Sequence, residues 1–340
     1  MITRRLILGA GVGAIGVAGC SQGRRASPLP APEVIRFSIL STESAQSMEQ
    51  YWAPVLADMR RATGLVVQPF FSSNYTLLVE AMKFEKTDLG WFSNRSGLEA
   101  VRRAGGEVFA RTFDPSGADG YTSVLIVGAK SRLTLADVLK CDRKLTFGMG
   151  DVLSTSGTLA PMTYLFAPRD IRPEACFRKL RTGASHQANL YAVAAGELDV
   201  ATNNSASLLL NRQRGRHEAQ AVRVIWTSPI LPEDPIIWRK DLDPAIKEKL
   251  RQFFLTYGQG DSQRAAGERA AMARMNIGGF RPADDSFLLP VREMEATEVW
   301  LVAKQGGDPA RIAAARKALE GITAQRVALE ARTRAPAAAQ

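Results

Sequence analysis

The chain has 340 residues, enough for two ordinary domains, and its 46% hydrophobic and 23% charged residues are a globular balance. The formal net charge is +10, yet Lys and Arg are scattered without a long basic run, and only five Trp and six Tyr accompany them. That excludes a dedicated nucleic-acid surface, which gathers its charge on one face, and leaves a generally basic exterior.

The N-terminus, "MITRRLILGAGVGAIGVAGC", has a short basic start, an apolar stretch over 6–19, then Cys20. The stretch is too short to span a bilayer, which takes about 20 apolar residues. It fits the centre of a secretory signal peptide over 1–19. Thr3-Arg4-Arg5 before Leu6-Ile7-Leu8 looks like a twin-arginine export signal. Val17-Ala18-Gly19-Cys20 resembles a bacterial lipobox, which makes Cys20 the expected lipidation site and the inner membrane an expected partner. Residues 20–32, rich in Ser, Pro and Ala, read as a tether.

From residue 34 the elements alternate. The pattern predicts a strand over 34–40, a helix over 47–64 stopped by Gly64, and a strand over 65–71. A helix over 74–86, a strand over 87–93, a helix over 96–105 and a strand over 107–113 follow. Such alternation predicts a parallel sheet covered on both faces. A long apolar strand over 120–129 comes next, and the pattern restarts. Helix 134–140, strand 144–148, a helix from about Ser156, strand 177–182, helix 186–197, strand 198–204 and strand 222–228 make a second unit. Residues 228–238 are a proline-broken crossing, 244–258 a helix, and 308–334 a long Ala- and Arg-rich helix.

The second unit is thus inserted in the first. The expected division is 33–122 with 229–300 as one lobe, 123–228 as the other, and 301–340 as a helical tail that offers a surface for a homodimer. Two crossings, near 120–128 and 224–234, make a two-strand hinge. The cleft between such lobes binds small molecules and closes by hinge motion.

Within the second unit, "FGMGDVLSTSG" ends a strand and starts a helix with Ser154, Thr155 and Ser156 in a row. A helix start offers unpaired N–H groups and partial positive charge. Together with several hydroxyls these suit a phosphate-like anion, and Gly157 would let it approach the backbone. One of the three hydroxyls is also the natural N-cap. His186, after a strand and at a helix start, adds a ring N–H to that site, whereas His217 sits among charges in solvent. No Cys/His spacing suggests zinc, no Walker loop or nucleophile elbow is present, and no cofactor is expected. Tyr75 lies at a helix start and Trp91 at a strand end, where parallel sheets keep their ligands, with Tyr121 and Asp234 on the two crossings near the hinge. Cys141 and Cys176, an even remainder in an oxidising compartment, each precede a strand and are expected to pair.

The ordered segments "ILSTES", "DLGWFSN", "GYTSVLIV", "LTFGMGD", "STSG", "DVATNN" and "VIWTSPILPEDPIIWRK" resemble the periplasmic phosphonate-binding proteins of ABC importers, from about residue 34 to 302. The resemblance implies an α/β, two-lobed type II periplasmic binding protein fold and a phosphonate ligand delivered to a permease and ATPase. It implies that Ser154, Thr155 and Ser156 hold the phosphonate oxygens with Tyr121 and His186. Tyr75 and Trp91 would then wall the cleft, and Asp234 would face a ligand amine. In the family pattern a second carboxylate follows "DVATNNT"; here that position is Ala206. Asp234 is therefore expected to meet an amine alone, with Glu233 beside it facing solvent unless it swings inward, and selection for an amine-bearing phosphonate is expected to be weaker than with two acids. The alternatives are an exported receptor for a phosphate ester or phosphite, and a hydrolase using a Ser or Thr nucleophile, for which only His186 would serve as base.

Overall fold

The structure is a computed structural model that describes residues 33–72 and 74–334; the expected signal segment, Cys20 and the tether lie outside the described residues. Eleven strands are described: β1 (Val34–Ile39), β2 (Val66–Phe71), β3 (Leu89–Trp91), β4 (Gly106–Phe113), β5 (Gly120–Gly128), β6 (Thr146–Gly150), β7 (Lys179–Ala184), β8 (Val200–Asn204), β9 (Val222–Pro232), β10 (Pro235–Arg239) and β11 (Gly279–Pro282). They form two sheets, in the orders β11-β4-β10-β3-β1-β2 and β7-β6-β8-β5-β9.

Neither sheet is wholly parallel. In the first, β1 runs parallel to β2 and β3, but β10 wedges antiparallel between β3 and β4, and β11 adds antiparallel to β4. In the second, β6 runs parallel to β7 and β8, while β5 is antiparallel to β8 and β9. The alternating pattern misses this because β10 comes back from the other sheet and enters from the opposite direction. Its Ile236, Ile237 and Trp238 are all buried, and such an apolar run belongs in the middle of a sheet rather than at its edge.

Around the first sheet, the helix Ala45–Thr63 buries Met48, Trp52, Val55, Leu56 and Met59 on one stripe, and Gly64 ends it with φ 71°. Trp52 packs on Phe37 with ring centres 5.1 Å apart, and Phe109 stacks on Trp238 at 3.8 Å. In the second lobe Phe147 stacks on Phe177 at 4.4 Å and meets Phe166 edge-on. The register Thr146↔Lys179 aligns β6 with β7, and Cys141 and Cys176, just upstream of them, form a disulfide.

The chain passes between the sheets twice, at 114–119 and 233–234. Each crossing is shorter than the sequence pattern suggests, because β5 and β9 pair along nearly their whole length, from Gly120↔Pro232 to Gly128↔Val222. Helices Ser205–Gln213, Gln263–Ala273 and Leu289–Gly306 fill stretches the pattern leaves unassigned. The last of these runs through residue 301, so the tail proper is the helix Pro309–Arg334. That helix packs on its own chain, where Thr323 and Arg326 both bond to Glu293.

Candidate functional site

The turn after β6 builds the centre of the site. Ser154 is the cap: its Oγ accepts the Gly157 N–H at 2.9 Å. The chain then enters not an α-helix but two π-helical turns, Thr155–Leu159 and Met162–Phe166. Wide turns of this kind recur at functional sites. Gly157 serves the turn itself rather than a ligand's approach. A Cβ there would stand 2.8 Å from Ser154 Oγ and 3.0 Å from Gly150 Cα, so the loop closes only with glycine. Ser123 Oγ donates to the Ser156 carbonyl at 2.6 Å and ties the turn to β5.

A cavity of about 80 Å³ opens beside this turn, between the two sheets. Tyr75, Trp91, Tyr121, Ser154, Ser156, His186 and Asp234 all line it. Ser156 Oγ lies 3.2 Å from His186 Nε2 and 3.4 Å from Asn204 Nδ2. The Tyr75 phenol reaches Ser154, and the Tyr121 phenol reaches Ser156. Burial, then the nearby Asp234 carboxylate, push both phenols well above their ordinary range, so each keeps its proton. Burial pushes the His186 imidazole down to about 4. It is neutral at pH 7, with one N–H and one lone pair. Among the described residues no Lys or Arg lines the cavity. The arrangement is a ring of neutral donors around a helix start, suited to several oxygens of one tetrahedral group. Trp91 Nε1, His186 Nδ1 and Asp234 Oδ1 are buried without a partner, the condition of groups that await one.

Thr155 corrects the sequence reading. It is fully buried but does not line the cavity; its Oγ1 accepts the Arg95 N–H of the first lobe at 2.9 Å. Two more bonds join the lobes here, Ser93 Oγ to the Leu153 carbonyl at 2.8 Å and Tyr75 N–H to Asp151 Oδ2 at 3.1 Å. The Ser-Thr-Ser run thus divides its work, two hydroxyls to the cavity and one to the opposite lobe.

Sequence reasoning also missed acids. Glu233, expected in solvent, lines the cavity, and its Oε2 accepts from Thr112 Oγ1 at 3.1 Å. Ala206 lines the same cavity. Glu43 does so too, from the loop after β1, a parallel-strand end where ligand-facing residues gather. Glu43 is held by the second lobe: Arg214 Nη1 donates to it at 2.7 Å and Gln187 Nε2 at 3.4 Å. The same Arg214 guanidinium donates to the Arg274 carbonyl at 2.5 Å and sits 3.9 Å above the Tyr51 ring.

Two lobes, two crossings and a polar cavity between mixed sheets define a type II periplasmic binding protein. Residues 37–288 match the family described as ABC transporter, phosphonate, periplasmic substrate-binding protein. The phosphonates-binding periplasmic protein of Escherichia coli (strain K12) is 40% identical over 272 residues, covering 79% of this chain and 78% of that one. The crystal structure of a binding protein component of an ABC phosphonate transporter from Pseudomonas aeruginosa superposes with a TM-score of 0.81 at 37% identity, covering 89% of this chain and 98% of that one. PhnD1 from Prochlorococcus marinus, solved with methylphosphonate, shares the fold with a TM-score of 0.68 at 17% identity, covering 78% and 97%. The chain belongs to the periplasmic phosphonate-binding proteins of ABC transporters. No helix among the described residues is long and apolar enough to cross a membrane.

Proposed function

We propose that the protein is the lipid-anchored capture subunit of a phosphonate importer, closing its lobes around an organophosphonate and handing it to a permease and its ATPase. The observation that carries this reading is the cavity wall at the Ser154–Gly157 turn. Ser154, Ser156, Tyr75, Tyr121 and neutral His186 crowd neutral donors onto one spot, with no cation among them. By this reading they hold the phosphonate oxygens, Trp91 walls the cleft, and Asp234 faces the substituent. The cavity suits a compact ligand: at about 10–15 Å³ for one water, 80 Å³ holds a handful. The lobes divide at the crossings 114–119 and 233–234, and Cys20 carries the lipid.

Calorimetry on the mature protein with ethylphosphonate, 2-aminoethylphosphonate, phosphate, phosphite and sulfate tests the ligand class. Phosphonates should bind tightest; a clear preference for phosphate or phosphite refutes the reading. For the anchor, the protein should take up labelled palmitate in cells and its Cys20→Ala variant should not; equal labelling of the two refutes Cys20 as the lipid site.

A further inference from the structure

Glu233 and Asp234 are consecutive residues on the second crossing, and both line the cavity. Their main chain is pinned to the first lobe. Asn94 Nδ2 donates to the carbonyls of Pro232 at 2.8 Å and Glu233 at 3.1 Å, and Thr112 N–H donates to that of Asp234 at 2.9 Å. The Asp234 N–H in turn donates to Thr112 Oγ1 at 3.2 Å. The backbone that carries the two acids is therefore fixed at the cavity, which both side chains line.

Neither has a cation of its own. Asp234 Oδ1 is buried without a partner. Glu233 has only the neutral Thr112 hydroxyl. Arg111 attracts Glu233, but two bonds, of 2.8 and 3.1 Å, commit it to Asp119. Glu43, the third acid on the wall, is already matched by Arg214. Two adjacent carboxyl groups at a cavity without Lys or Arg call for positive charge from the ligand.

Resting on the phosphonate reading above, we propose that Glu233 is a specificity-determining residue: with Asp234 it forms a two-acid receptor for a cationic group on the ligand. Its ligand class is a zwitterionic phosphonate bearing a protonated amine. Glu233 supplies the second carboxylate that a side chain at Ala206 does not. Burial, with the charges of Asp114 and Asp119, pushes the Glu233 carboxyl up to about 7, and burial and Glu233 push Asp234 well above its usual range. Both shifts are what a pair waiting for a cation should display.

The test is calorimetry on the mature protein, its Glu233→Gln variant and its Ala206→Glu variant, with 2-aminoethylphosphonate and ethylphosphonate as probes. Gln keeps an acceptor for Thr112 and removes the charge. The unmodified protein should prefer the amine-bearing ligand by about tenfold or more, the scale of one charge-assisted hydrogen bond. Glu233→Gln should erase most of that preference and leave ethylphosphonate within about threefold, which also checks that the variant folds. Ala206→Glu should add less than about threefold for the amine-bearing ligand, because the pair is already complete. A preference untouched by Glu233→Gln, or raised about tenfold by Ala206→Glu, overturns the role of Glu233 while the phosphonate reading stands. Failure of the unmodified protein to bind either phosphonate overturns both.

Discussion

Arg214 offers the sharpest test of how the cleft is held shut. It follows the second-lobe helix Ser205–Gln213, yet Glu43, the Arg274 carbonyl and the Tyr51 ring, its partners across the cleft, all belong to the first lobe. Replacement by Met keeps much of the volume and removes all three contacts. The charge-assisted bond to Glu43, whose side chain is 5% exposed, is worth about 1.5–3 kcal/mol. The stack on Tyr51 adds about 0.5–1 kcal/mol. Together they favour the closed form by roughly 2–4 kcal/mol, and at 1.4 kcal/mol per tenfold the affinity should fall by roughly 30- to several-hundred-fold. Ethylphosphonate is the right probe, since a freed Glu43 would itself attract an amine. The loss should fall on the dissociation rate, read by stopped flow. Small-angle scattering should show less compaction at saturating ligand, and a double-mutant cycle with Glu43→Gln should return a coupling of at least about 1 kcal/mol. An affinity within about threefold of the unmodified protein, with the same scattering profile, would refute the reasoning.

Three further outcomes are expected. Ser156→Ala removes the hydroxyl shared by His186, Asn204 and Tyr121; at about 0.5–1.5 kcal/mol per hydrogen bond, affinity for every phosphonate should drop roughly tenfold with their ratio unchanged, and calorimetry showing no drop counts against the donor ring. The ratio of 2-aminoethylphosphonate to ethylphosphonate affinity should rise more from pH 6 to 8 in the unmodified protein than in Glu233→Gln, because the Glu233 carboxyl, raised to about 7, loses its proton across that window; the comparison with Glu233→Gln removes the ligands' own ionisation, and identical pH profiles contradict it. Reduction of the Cys141–Cys176 bond, which spans 35 residues, should cost about 4 kcal/mol on the chain-entropy model, visible as an earlier urea midpoint; coincident curves with and without reductant contradict it.

Local pattern carried much of the architecture. The apolar stripe from Met48 to Met59 with Gly64 behind it marks a helix in any context, and the restart after residue 129 marks a second unit. Strand direction was not legible: periodicity says that Ile236–Trp238 is buried, not which way β10 runs or that it splits β3 from β4. The helix Ser205–Gln213 starts on small and hydroxyl-bearing residues that read as loop, yet Asn204 caps it by accepting the Ser207 N–H at 2.7 Å. At the site, residue types at strand ends and helix starts pointed to Ser154, Ser156 and His186, and the first crossing to Tyr121; all four line the cavity. The fates of Thr155 and Glu233 were not legible, since each is decided by a group far away in sequence. Arg95 lies 60 residues from Thr155, and Thr112 lies 121 from Glu233.

The second crossing has a consequence for transport fidelity. Among the described residues the backbone joins the sheets at 114–119 and 233–234, so on the proposed closure a swing of one lobe against the other would be absorbed there. The two acids proposed to read the ligand's charge sit on that pivot itself. A solute that satisfies the oxyanion pole but brings no cation would leave neighbouring carboxyl groups unmatched where the molecule must bend. Proofreading would then act on the movement as well as on the grip. A poor solute would be held in a half-shut particle that a permease sensitive to shape would decline, and the importer would be choosier than its equilibrium affinities alone imply.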